Sequence, residues 1–283
     1  MKTDMTQGKP VKVLLGFTIP VFIGNVFQQF YNMVDAVVVG KFVGTKALAA
    51  VGSTGTIIFL IIGFLLGLTA GFTVLTAQKY GAGKMDEMRQ TVGNALILTA
   101  LVSAVMTAVS MTGMHALLKF MHTPDDIFKD AYAYVMIICG GIFAQALYNI
   151  LASILRALGN SKVPLYFLIL SAMLNIVLDP IFIYVFGMGV KGAALATIIS
   201  QGVSCLWVLK FLTGKKTVLK IRLKNLALDG KIVTSVLSLG VSPFIMQATE
   251  CLIQLTFNNG MLKYGNDLYV ALMSILFSLT QLI

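Results

Sequence analysis

The sequence predicts an all-α polytopic membrane protein, and three observations carry that prediction. Hydrophobic residues fill 58% of the 283 positions and charged ones only 11%, where a soluble domain carries about 25% charge. The apolar residues gather into stretches of about 20 or more, long enough to cross a bilayer as helices. Lys and Arg fall between those stretches or at their ends. An outer-membrane barrel would show weakly alternating segments of about ten residues instead, so strands are not expected.

Seven stretches reach spanning length: Val13–Val39, Ala47–Ala77, Thr91–Leu117, Ile127–Leu151, Val163–Phe186, Gly192–Phe211 and Ile232–Asn258. Phe42-Val43-Gly44 forms the turn between the first two. Before the fourth, Thr123-Pro124-Asp125-Asp126 reads as a helix start: Thr123 as N-cap, proline in the first turn, acids on the positive end of the dipole. Asp125 and Asp126 therefore need no functional role. An eighth run begins near Leu268 and is still apolar at Ile283, so the sequence reads as a truncated chain that stops in mid-span. The first run lacks the short apolar core and small-residue cleavage site of a signal peptide.

The positive-inside rule orients these spans. With a cytoplasmic N-terminus, 15 of the 21 Lys and Arg lie inside and 6 outside. That predicts a multi-pass protein of the cytoplasmic membrane, N-terminus inward, with membrane lipid around it. The net charge of +10 is spread over several loops, which argues against a nucleic-acid partner. The basic run from Lys210 to Lys231 reads as an inner linker. Cys139, Cys205 and Cys251 lie singly within apolar runs and read as small core residues. His115 and His122 read as solvated residues flanking one outer loop.

An internal repeat divides the chain. Leu15-Gly16-Phe17-Thr18-Ile19-Pro20 resembles Leu239-Gly240-Val241-Ser242-Pro243, each opening a span after a Lys-bearing segment. Phe42-Val43-Gly44 matches Lys263-Tyr264-Gly265 in position. Six spans separate the copies, so both face the same way, as in transporters whose halves are related about the membrane normal. The expectation is a six-helix N-terminal lobe (1–215), a basic linker (216–231) and the first one to two helices of a second, repeat-related lobe (232–283), within a design of about twelve spans.

Three acids, Asp35, Asp179 and Glu250, sit inside apolar runs. A charge there costs about 2.5 to 3.5 kcal/mol on insertion scales and marks an ion or proton path. Counted inward from the outer span ends, Asp35, Asp179 and Thr197 lie at depths of roughly 6 to 11 Å. Asn175 and Asp179 are four residues apart, on one helix face. Pro180 lacks an N–H and frees the carbonyl of Ile176. Two carboxylates, an amide oxygen, a hydroxyl and a carbonyl would suit a small cation such as Na+, or would hold one shared proton. Competition between the two would give coupling. The plainer alternative is a hydrogen-bonded cluster that only braces helix packing. Pro20 and Pro243 free a carbonyl one turn back and can kink their helices; a bent first helix would offer a two-state element. The Met and Phe content could line an adaptable cavity, and the carboxylates would favour cationic guests.

The residues then take on a family likeness. Tyr31-Asn32-Met33-Val34-Asp35 with Gly40, Gln78-Lys79-Tyr80-Gly81-Ala82-Gly83, and Arg156-Ala157-Leu158-Gly159-Asn160-Ser161-Lys162-Val163-Pro164 resemble the MATE (multidrug and toxic compound extrusion) family. So do Asn175-Ile176-Val177-Leu178-Asp179-Pro180 and Gly192-Ala193-Ala194-Leu195-Ala196-Thr197. The likeness runs along the whole chain, as roughly the N-terminal three-fifths of a typical member. It implies a twelve-helix antiporter of two six-helix lobes, exporting cationic or amphipathic small molecules against a proton or sodium gradient. It also implies that Asp35, Asn175, Asp179 and Thr197 carry the proton or Na+, and that Pro20 is the bending proline. Another branch of the family uses acids of the second lobe, and Glu250 lies close to one of those positions. No cofactor beyond H+ or Na+ is expected, and a monomer is.

The other readings are weaker. A flippase for lipid-linked oligosaccharides shares the architecture but often carries cations inside its lobes; here the buried charges are acidic, and Arg156 and the lysines lie at span ends. A membrane enzyme needs a nucleophile–base pair or metal ligands, and no span interior holds a His. A channel fits a repeated, one-sided acid cluster less well than alternating access does. A truncated chain is expected not to transport by itself.

Overall fold

The expected spans fold as helices throughout a computed structural model, which describes residues 9–121, 123–214, 219 and 227–264. Most of the basic linker, the expected eighth span and His122 lie outside those residues. In order come α1 (Pro10–Phe42), α2 (Thr45–Gly81), α3 (Met85–Phe120), α4 (Asp125–Gly140), α5 (Ile142–Ala157), α6 (Lys162–Pro180), a π-helical turn (Ile181–Val185), α7 (Val190–Thr213) and α8 (Gly230–Tyr264). Among the described residues six helical segments are long and apolar enough to cross a membrane, or seven when the bent α4–α5 pair is counted as one span. α1 has 33 residues, about 50 Å at 1.5 Å each, so its ends project beyond a hydrocarbon layer of about 30 Å.

Three details depart from the sequence reading. The fourth span is two helices that meet at 49°. Gly141 sits at that break, where a Cβ would lie 2.4 Å from the Ile198 side chain; the missing side chain lets the corner approach α7 beside Thr197. α4 begins at Asp125 with Pro124, not Thr123, at the cap and with no side-chain cap bond. A proline's fixed φ suits that boundary as well as it suits the first turn. His115 belongs to α3, where it is exposed and sets its ring edge-on to Phe128 and Tyr132.

Packing is layered along the bundle. At one end Phe72 of α2, Met88 and Val92 of α3, Ile150 and Ile154 of α5 and Leu212 of α7 form the largest core cluster. At the other, Val39 of α1 meets Tyr134 and Ile138 of α4, Ile183 of the π turn and Ala193 and Ala194 of α7. Small residues on α7 let its neighbours come close, which supplies packing energy that lipid-like side chains alone cannot. Most hydroxyls in the spans are satisfied locally: Thr69 and Thr73 each donate to the carbonyl four residues back at 2.7 Å, as helix threonines commonly do. The segment before α8 is pinned to α3. Asn94 Nδ2 donates to the Ala227 carbonyl at 2.9 Å, the Asp229 N–H donates to Asn94 Oδ1 at 2.8 Å, and Arg89 Nε donates to the Leu219 carbonyl at 3.1 Å.

Candidate functional site

Asp35, Asn175, Asp179 and Thr197 come together at the second of those layers, where α1, α6 and α7 meet. α6 supplies Asn175 and Asp179 from one face, and both are fully buried, 1% and 0% exposed. In the amide orientation that satisfies both neighbours, Asn175 Nδ2 donates to Asp179 Oδ2 at 3.0 Å and its oxygen accepts from the Thr197 backbone N–H at 3.3 Å. Thr197 Oγ1 donates to the Ala193 carbonyl at 3.1 Å. Asn175 therefore fixes Asp179 against α7.

Asp35 arrives from α1. Its carboxyl is close enough to the Asp179 carboxyl for the two to interact, and its Oδ1 is shielded from solvent with no hydrogen-bond partner. Two carboxylates brought close in a low dielectric repel one another when both are ionised. Among the described residues there is no group of three or more His, Cys, Asp or Glu placed to hold a metal.

Pro180 follows the cluster directly. The helix cannot continue its regular ladder through a residue with no N–H, and the chain passes into the wider π turn Ile181–Val185. Such turns recur at functional sites. Here the turn places Ile183 in the core just beyond Asp179. Pro20 and Pro243 both lie inside their helices, α1 and α8.

Asp35 opens on a cavity of about 250 Å³ whose polar lining includes Gln28, Tyr31, Tyr134, Gln145, Thr197 and Gln201. The glutamines and tyrosines escaped the sequence reading. Their signal was available on α1: Gln28, Tyr31, Asn32 and Asp35 follow the i, i+3, i+4, i+7 spacing of one helix face. Glu250 is not part of this cluster. It sits on α8, which packs along α2, and it lines neither this cavity nor the larger one beside it.

Fold and site together define a multi-pass membrane protein with a helical lobe built around a buried pair of carboxyl groups. Residues 20–181 match the MatE family, and the chain belongs to it. A probable multidrug resistance protein of Bacillus subtilis, YpnP, is 34% identical over 76% of this chain and 48% of its own length. A second from the same organism, YoeA, is 30% identical over 89% of this chain and 56% of its own. The chain thus spans about half the length of the curated relatives it matches. Among solved structures, a MOP-superfamily transporter from Pyrococcus furiosus superposes over all of this chain and 63% of its own, with a TM-score of 0.92 at 28% identity. An outward-facing multidrug resistance MATE transporter gives the same figures.

Proposed function

We propose that this chain is the N-terminal, ion-handling lobe of an antiporter that exports cationic or amphipathic small molecules, drawing on an inward gradient of protons or Na+. The supporting observation is the contact between Asp35 and Asp179 across the α1–α6 junction, with Asp35 left one unpartnered oxygen. A proton or Na+ neutralises the pair and lets α1 close on α6; its departure leaves two charges that push α1 away. Asn175 and Thr197 hold Asp179 still, so Asp35 and α1 are the movable side. Pro20 leaves the Gly16 carbonyl without its usual partner and gives α1 a place to bend. The drug-resistance names of YpnP and YoeA favour a drug-like guest, and the carboxylate-bearing cavity favours a cationic one. The same reading has the protein monomeric, in the cytoplasmic membrane, with α1 entering from the cytoplasm.

The test is ethidium efflux from pump-deficient bacteria that express the complete gene, native beside Asp35→Asn, with the proton and sodium gradients collapsed separately. Loss of efflux in the variant and on collapse of one gradient is the expected result, and it names the ion. Equal efflux by Asp35→Asn would remove the coupling role from this cluster.

A further inference from the structure

A second cavity, of about 310 Å³, lies beside the first, and Gln28 lines both. It is walled by α1, α2, α5 and α6, and its chemistry is opposite. No acid is among its lining residues, while Arg156 is. The same cavity is lined by the amides of Asn25, Gln28 and Asn149 and the hydroxyls of Tyr148 and Ser161.

Arg156 occupies the last turn of α5, where a cation can serve simply by facing the helix's terminal carbonyls. The geometry does not bear out that simpler role. Among the described residues Arg156 bonds no carbonyl and pairs with no carboxylate; its one side-chain hydrogen bond is from Nη2 to Ser153 Oγ at 3.4 Å. An arginine holds five N–H donors in a planar fork that matches carboxylate or phosphate in two-point contact. A partly buried fork left this unsatisfied, facing a cavity lined by neutral donors, is suited to an anionic guest. Ser161, 6% exposed, adjoins the same cavity at the start of α6. The positive end of that helix dipole adds to the preference.

We propose that this inner cavity is an oxyanion-binding site, in which Arg156, with Asn25, Asn149, Tyr148 and Ser161 lining the same cavity, holds the carboxylate or phosphate end of an amphipathic molecule. The lobe then carries a cation-seeking chamber at Asp35 and an anion-seeking one at Arg156, joined at Gln28. The site needs neither Asp35 nor an ion gradient, so it stands or falls apart from the coupling proposal. Its ligand is either a substrate that carries its own carboxylate or phosphate, or the phosphate of a membrane lipid.

The purified chain, in a phosphate-free maltoside detergent, is titrated with dansylglycine and with its uncharged amide, and binding is read by dansyl polarisation. The expected result is about tenfold tighter binding of the carboxylate. That preference should be lost in Arg156→Gln and partly kept in Arg156→Lys. Equal binding of the two probes to the native chain overturns the proposal, and that comparison needs no variant to fold. A preference that survives in a folded Arg156→Gln overturns it as well. Competition identifies the source: displacement of dansylglycine by dihexanoyl phosphatidic acid below dansylglycine's own Kd assigns the site to lipid phosphate, and weaker or no displacement assigns it to a substrate carboxylate. Gradient-dependent ethidium efflux reads the coupling proposal independently.

Discussion

α1 and α2 are made of nearly the same material and do opposite things. They are consecutive, 33 and 37 residues long, apolar along most of their length. Yet half of α2's most apolar stretch is buried, against 6% of α1's. α2 is a scaffold: it packs against α3, α4, α5 and α8. Its contact with α8 is backbone on backbone, since a Cβ on Gly71 would lie 2.3 Å from the Val236 carbonyl oxygen. α1 leans chiefly on α6, and a Cβ on Gly24 would meet only the ends of Leu168 and Leu165, at 3.6 and 3.7 Å. The polar cluster is split across that difference, with Asp179 held by the packed side and Asp35 carried by the loosely held one. The proposed movement of α1 in response to charge draws on this difference, because contacts made by side-chain tips give way more readily than backbone ones.

Matched glycine substitutions break or sharpen this contrast most directly. Gly71→Ala should cost about 3 kcal/mol, at the upper end for overpacking a tight contact, and should loosen α8; thermal unfolding in detergent measures it, and a native-like midpoint would mean that the α2–α8 contact is not backbone-tight. Asn94→Ala removes both hydrogen bonds that tie 227–229 to α3. A loss of about 1 to 2 kcal/mol is expected, with faster proteolysis between residues 214 and 230 as the sensitive readout. Asp35→Asn should go the other way once the pH is high enough to strip the proton from the native pair, raising the unfolding midpoint there by the equivalent of about 1 kcal/mol, because an amide N–H then gives Asp179 a donor that a second carboxylate lacks. A lowered midpoint would show that Asp35 braces the lobe. Smallest is Gly24→Ala, which should be neutral or stabilise by up to about 1 kcal/mol through helix propensity; a loss comparable to that of Gly71→Ala would erase the distinction between the two helices.

The acid cluster was legible because its members break a strong rule. Asp35 and Asp179 stand out in apolar runs, and Asn175 follows from its four-residue offset. Gln28, Tyr31 and Tyr134 break no rule, since neutral polar and aromatic side chains are ordinary in spans, and so the cavity they line was missed. The corner at Gly141 was missed for a similar reason. No proline marks it, and a glycine in an apolar run gives no sign of which side chain it must admit. Arg156 was placed at a span end, as found; that it faces a cavity and no acid depends on where α1 and α6 pass.

The sequence by itself determined the number of spans it could supply, their helical state and the residues too polar to be there without a reason. Each follows from the energy of placing a backbone or a charge in hydrocarbon, which depends on composition along the chain. Only the tertiary structure decided which helix is packed on several sides and which is largely exposed, that Asp35 comes close to Asp179 while Glu250 stands apart on α8, and that Arg156 and Asp35 open on cavities that share Gln28. Lipid and protein interior are about equally apolar, so hydropathy cannot tell a lipid-facing side chain from a packed one. Fine shape, down to a single missing Cβ, makes that choice.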